Sequence, residues 1–240
     1  QAEDGIRDLV RSRGLGDVYK RQPLDHEKLS REDLASVEKG CENLEKHIEN
    51  VLLHGINPVV VINSFPTDTP GEIELIKEKG LAAGASAVVT HQGWEKGGDG
   101  CTELAKAVIE ATEKENGFHY LYPLEASIKE KIETIATRIY GADGVSYQAQ
   151  AEKNIKLFES SGFGNLPICM AKTHLSLSHD PAVKGRPRHY KIPIRDIRAS
   201  VGAGFLYPLL GTMMTMPGLP SVPASTKVDI DKEGNTIGLF

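Results

Sequence analysis

The sequence predicts an α/β fold: a parallel-sheet βαβα segment followed by a further α/β portion. Short β-branched runs at 59–62 and 87–90 are bounded by turn residues and separated by a stretch of helical period, the pattern of neighbouring parallel strands joined by a helix. Each run opens into a polar loop with one aromatic, Phe65 in Asn63-Ser64-Phe65-Pro66-Thr67-Asp68-Thr69 and Trp94 in Gly93-Trp94-Glu95-Lys96-Gly97-Gly98-Asp99-Gly100. Parallel sheets bind ligands in the crevice beyond the carboxyl ends of their strands, so both rings are expected at that edge.

The elements follow in order. Leu34, Val37, Cys41, Leu44, Ile48, Val51 and Leu52 recur at helical spacing, which predicts an amphipathic helix over 31–53, capped by Ser30 and stopped by Gly55. After the strand at 59–62, Asp68 and Thr69 ahead of Pro70 are candidate N-caps for a helix over 72–83. The glycines at 97–100 follow their lysine and read as a flexible turn that opens a helix over 101–112. Helices over 128–140 and 149–160 end at Gly141 and Gly162. Runs at 166–170, 191–193, 196–199 and 205–210 read as strands interrupted by glycine loops. With two prolines and a glycine, 180–188 reads as a mobile surface loop; the basic cluster of Lys184, Arg186, Arg188 and Lys191, followed by Arg195 and Arg198, reads as an ordinary solvated charged face, with attraction of a ligand's anionic groups as the alternative.

Composition limits the function classes. At 240 residues and 40% hydrophobic content the chain can bury a real core. A net charge of -5 offers no general attraction for nucleic acid. No apolar run approaches the ~20 residues of a membrane span, and no secretion signal appears, so neither a membrane partner nor export is expected. Cys41, Cys101 and Cys169 are far apart and read as reduced, buried thiols. His174 and His179 lie five apart with no third ligand in register, so no metal site is expected. No Ser-His-Asp set, paired carboxylates or activated cysteine stands out.

Aromatics make up only 6% of the chain and Trp94 is its sole tryptophan, so an aromatic in each strand-end loop needs a reason. Stacking contributes roughly 0.5–1.5 kcal/mol beyond area burial, enough for two faces to hold a flat heterocycle. Asn63, Thr67 and Asp68 are close enough in sequence to offer it hydrogen bonds. Two alternatives stay open: the rings plug the sheet end as core, and Asp68 serves the helix start.

The loops around Phe65 and Trp94 closely resemble formate–tetrahydrofolate ligase. So do Gly162-Phe163-Gly164-Asn165-Leu166-Pro167-Ile168-Cys169-Met170-Ala171-Lys172-Thr173-His174, the run from Ile194 to Phe205, and Met214-Thr215-Met216-Pro217-Gly218-Leu219-Pro220. Glu38-Lys39-Gly40-Cys41-Glu42-Asn43-Leu44 is similar to the stretch just upstream in that family, particularly in the ligase part of eukaryotic trifunctional one-carbon synthases. The resemblance runs from about Leu29 to Phe240. It implies an enzyme that activates formate with MgATP as formyl phosphate and passes the formyl group to tetrahydrofolate, with the pterin between Phe65 and Trp94. It further implies that 23–64 is the end of a P-loop-type nucleotide-binding domain and 65–240 the folate-holding C-terminal domain. Lys96, Gly97 and Gly98 would approach from the nucleotide side. A monovalent cation, a homo-oligomer at full length, and a cytoplasmic or mitochondrial location belong to the same implication.

The family's Gly-Lys-Ser/Thr phosphate loop is missing from the sequence, so the expectation is a C-terminal fragment unable to make formyl phosphate alone. The alternative is a non-catalytic folate-binding or assembly module. Residues 1–22 carry no resemblance, and Asp17-Val18-Tyr19-Lys20-Arg21-Gln22 back-translates to a transposon-end adaptor, which suggests a non-native tail. A transit peptide is the rival reading, opposed by Glu3, Asp4 and Asp8.

Overall fold

A computed structural model of the chain describes residues 31–65, 68–211, 213, 222–232 and 236–238. The tail at 1–22, Ser30, Thr67 and the 214–220 motif lie outside the described residues.

Helix α1 spans Leu34–Leu52 and buries Val37, Cys41 and Ile48 along one face, as its spacing requires. Its cap is Asp33, whose carboxylate accepts from Ser36 N at 3.0 Å. Gly55, at φ 71°, takes the left-handed turn beyond the helix. Strands β1 (Val59–Asn63) and β2 (Ala87–His91) pair in parallel register, with Asn63 opposite His91. Between them lies α2, Pro70–Ala82, which starts at Thr69 with Pro70 in its first turn and a reciprocal Thr69–Glu72 capping box.

Glu72 does more than close that box. Buried to 4% exposure, it accepts from Asp33 N at 2.8 Å and from Thr69 N at 3.4 Å, so one carboxylate ties the starts of α1 and α2 together. Helix α2 also lies close on the sheet: a Cβ at Gly80 would stand 2.8 Å from a Val88 methyl.

The 93–100 stretch, expected to be a flexible loop, is instead a helical turn, α3 at Gly93–Lys96, followed by a 3₁₀ turn at Gly97–Cys101. It leads into α4, Thr102–Glu113. Helix α5, Ile128–Thr134, opens with a Ser127–Glu130 capping box and runs on as a π turn at Ile135–Ile139, where a single helix was expected.

A second sheet follows. Strand β3, Gly144–Tyr147, went unrecognised in the sequence; it precedes α6, Ala149–Ser160, and pairs in parallel with β4. Strand β4 is one element, Lys191–Ser200, rather than the two short strands expected; an irregularity between Ile194 and Asp196 accommodates the break in pattern. It turns through Gly204 into antiparallel β5, Phe205–Leu210. The 166–170 run is not a strand; Ile168 and Ala171 make only isolated parallel bridges to Leu206 and Leu209. Two-residue strands β6 (Asp229–Ile230) and β7 (Thr236–Ile237) pair separately. The core lies between this second sheet and helices α5 and α6, with Ile128, Ile132, Ala151, Ile155, Ile192, Ile194 and Leu206 sealed from solvent. Lys131 is buried there too, its ammonium giving to Gly164 O at 2.6 Å and Leu166 O at 3.1 Å.

Helix α1 links the two sheets. Lys46 donates to Arg138 O at 2.7 Å, and Asn43 donates to Gly185 O at 3.1 Å. Arg186 pairs with Glu49 at 2.7 Å. Lys184 is buried and donates to Leu175 O at 3.2 Å. The 180–188 segment is therefore not the solvated basic loop expected, since two of its cations are committed to the protein. No helix among the described residues is long and apolar enough to cross a membrane.

Because Glu72 satisfies two backbone N–H groups from a buried position, Glu72→Ala is expected to cost about 2 kcal/mol, measured as a shift of the urea midpoint at unchanged slope. A midpoint shift equivalent to less than ~0.5 kcal/mol would show that the carboxylate does not join the two helices.

Candidate functional site

The site is built on the carboxyl ends of β1 and β2. The chain leaves β1 through Ser64, whose N–H donates to His91 O at 3.0 Å, so the ladder continues one residue past the strand. Phe65 comes next, and Trp94 rises from α3 just after β2. The rings stack with centroids 5.6 Å apart and planes at 25°. The Trp94 indole N–H donates to Ser64 O at 2.9 Å, which pins the indole across both strand ends. Phe65 is partly buried, whereas Trp94 keeps 53% of its surface exposed.

The aromatics thus meet at the strand ends, but they close on each other. A ring inserted between two faces needs two van der Waals contacts of about 3.5 Å, hence planes ~7 Å apart. The observed stack leaves no such gap.

Asp68 accepts from Phe65 N at 2.8 Å and gives its own N–H to Phe65 O at 3.0 Å, fixing the turn that presents Phe65. The helix cap beside it is Thr69. Lys96 donates to Gln92 at 2.6 Å, while a Cβ at Gly97 or Gly98 would meet only open space. Gly100 is different: a Cβ there would stand 2.5 Å from Gln92 O, so the turn closes only around glycine.

Asn63 faces a partner that sequence reading passed over. Its Oδ1 lies 3.3 Å from His91 Nδ1, and His91 Nε2 lies 3.3 Å from Cys101 Sγ. Three residues from the end of β1, the end of β2 and the entry to α4 therefore form a line. The cysteines are not all buried as expected: Cys41 is buried, Cys101 half-buried and Cys169 exposed. Burial pushes the Cys41 thiol up to about 11.

Lys172 stays within its own loop. Its ammonium donates to Thr173 O at 2.5 Å and to Ser176 O, and sits 5.1 Å from the Tyr140 ring centroid. Ser176 and Ser178 are buried and bonded to each other at 2.9 Å, so the Thr173–His179 stretch organises itself. Among the described residues no three His, Cys, Asp or Glu side chains converge on a metal position.

A cavity of about 750 Å³ opens elsewhere, walled by Val51, Ile56, Leu121, Leu124, Ile135 and Ile139. Asn50 lines it too, and its buried Oδ1 has no hydrogen-bond partner among the described residues. None of its walls belongs to β1, β2 or α3. The π turn that supplies Ile135 and Ile139 has no sequence signal.

Comparison with known proteins identifies the family. The profile of the family described as formate–tetrahydrofolate ligase matches residues 6–240, and so runs through most of the stretch at 1–22 set apart in the sequence. A formate–tetrahydrofolate ligase of Desulforamulus reducens is 56% identical over 98% of the chain, which spans 41% of that relative. Formate–tetrahydrofolate ligase 3 of Rubrobacter xylanophilus is 49% identical over 98% of the chain and 42% of its own length. The cytoplasmic C-1-tetrahydrofolate synthase of Mus musculus is 51% identical over 87% of the chain and 22% of its own length. The chain thus spans well under half of the curated relatives it matches.

Two measurements test the geometry. Phe65→Leu is expected to lower stability by about 0.5–1.5 kcal/mol beyond the area lost and to move Trp94 emission to longer wavelength; an unchanged spectrum would mean the rings are not stacked. Burial pulls the Lys172 ammonium from 10.5 down to about 8. Its folded value lies below its unfolded one, so between about pH 8 and 10.5 the unfolded chain holds more protons, and this group adds stability as pH rises. Lys172→Met is expected to flatten the pH dependence of the unfolding midpoint in that window. Parallel profiles for the two proteins would contradict it.

Proposed function

The chain belongs to the formate–tetrahydrofolate ligase family, and from that premise we propose that it is the C-terminal, folate-holding part of an ATP-dependent ligase joining formate to tetrahydrofolate through formyl phosphate. One observation carries this reading: Phe65 and Trp94 stand face to face at the carboxyl ends of adjacent parallel strands. That is where such sheets take ligands.

Pterin binding then means parting the rings to ~7 Å, two contact distances. The indole is anchored to Ser64 O through its N–H, whereas the phenyl ring of Phe65 carries no polar atom to anchor it, so the Phe65 ring gives way. Asn63 and Asp68 border the slot; Thr67, outside the described residues, is a candidate for its polar contacts by sequence alone. Chemically the reaction needs the formyl electrophile and the folate nitrogen held in line, and such orientation is worth ~7 kcal/mol or more when well arranged. A firmly gripped pterin is this chain's contribution.

MgATP and formate are bound by the portion of the family chain that these residues do not span. Sheet physics supports the division. Parallel sheets are ordinarily covered on both faces and exceed two strands, yet among the described residues β1 and β2 stand as a pair with Val61 42% exposed. The pair is the edge of a larger sheet completed by that portion, whose neighbouring surface Lys96, Gly97 and Gly98 face. The whole enzyme is a homo-oligomer of the cytoplasm or mitochondrion, with a monovalent cation serving its activation or assembly.

Titrating tetrahydrofolate into the chain while following Trp94 emission tests the folate assignment. A saturable change is expected, with Phe65→Ala weakening affinity about tenfold, or ~1.4 kcal/mol. Unaltered emission at saturating tetrahydrofolate would overturn it. With MgATP and formate added, the chain alone should make no formyltetrahydrofolate; turnover would overturn the division of labour.

A further inference from the structure

We propose that Cys101 is an activated thiol that exchanges with small disulfides, with His91 as the base that takes its proton, and that its modification unseats the turn carrying Trp94. The inference rests on side-chain geometry and does not depend on the folate assignment.

The Asn63 carbonyl oxygen, 3.3 Å from His91 Nδ1, favours the tautomer with the proton on that nitrogen. His91 Nε2 is then bare, and it faces Cys101 Sγ at 3.3 Å. Nucleophile, base and orienting group therefore stand in sequence, the arrangement by which a weak nucleophile is activated. The thiol has a second acceptor, Gly97 O at 3.4 Å, but only the imidazole can take its proton away. Cys101 is half-buried and reachable. The other two thiols lack this setting: Cys41 is buried, Cys169 is exposed, and among the described residues neither has a histidine in hydrogen-bond contact.

Gly93 makes the pair possible. A Cβ there would stand 2.6 Å from His91 Nε2 and 2.8 Å from Cys101 Sγ, so any larger residue would force imidazole and sulfur apart. Gly93 also begins α3, the turn that carries Trp94. A group added to Sγ must compete for the same space, and the turn is what yields. The indole then leaves Ser64 O and the Phe65 face.

In the exchange the Cys101 sulfur attacks one sulfur of the disulfide, a new S–S bond forms and the old one breaks. The Cys101 proton passes to His91 Nε2 and from there to the departing thiolate. Cys101 is oxidised and the departing half is reduced, so no other oxidant is needed.

Treating the full chain with 2-hydroxyethyl disulfide at neutral pH and following each cysteine by mass spectrometry tests the proposal, a neutral reagent removing charge bias between sites. Cys101 is expected to react about tenfold or more faster than Cys169, with Cys41 unreacted. His91→Gln should slow Cys101 about tenfold or more while leaving Cys169 unchanged. Trp94 emission should change in step with Cys101 modification and stay constant in Cys101→Ser. If Cys101 reacts no faster than exposed Cys169 in the wild-type chain, the activation is wrong, a comparison that holds even if His91→Gln misfolds. An unchanged Cys101 rate in folded His91→Gln would equally overturn the role of the base, and fast modification with constant emission would overturn the coupling to Trp94.

Discussion

The hydrogen bond from the Trp94 indole to Ser64 O is the contact on which the strand-end site depends. It spans the ends of two parallel strands, so it exists only in the register that sets Asn63 against His91. Side chains on a strand alternate faces, and a slip of one residue would turn Asn63 away from His91 and carry Ser64 out of reach of the indole. The same register delivers the Asn63–His91–Cys101 line. Upstream it is held by the Glu72 carboxylate, which locks the start of α2 against α1, and by the close seating of α2 on β2 at Gly80.

Magnitudes explain why a closed stack suits a binding site. Parting Phe65 from Trp94 gives up one aromatic contact, roughly 0.5–1.5 kcal/mol. A flat heterocycle between them restores two contacts of similar size and buries apolar surface on both sides. The exchange favours the ligand, and the closed pair keeps Phe65 from facing water in the meantime. Because the polar atoms at hand already serve the loops, as Asp68 does for the Phe65 N–H, the turn geometry is preset.

The sequence made legible whatever follows a short period. The apolar repeat of α1, the β-branched runs of β1 and β2, and the Thr69-Pro70 start of α2 are local signals, and their elements lie within a few residues of expectation. Strand β3 was illegible because four residues, one of them glycine, are too few to show alternation, and its strand character comes from pairing with β4. The 166–170 run is apolar enough for a strand, yet it makes only isolated bridges. The basic residues at 184 and 186 read as solvated because their partners, Leu175 O and Glu49, are tertiary. The candidate site divides the same way. Two aromatics in strand-end loops could be read directly, but that they touch, and that His91 meets Cys101, depends on the parallel register and the tight α3 turn.

A crystal structure of the chain with tetrahydrofolate bound tests the central claim most directly. The account predicts the Phe65 and Trp94 centroids parting from 5.6 Å to ~7 Å with the pterin between them and the indole still on Ser64 O. Folate bound elsewhere, for instance in the 750 Å³ cavity beside α1, with the two rings still stacked on each other, would contradict it.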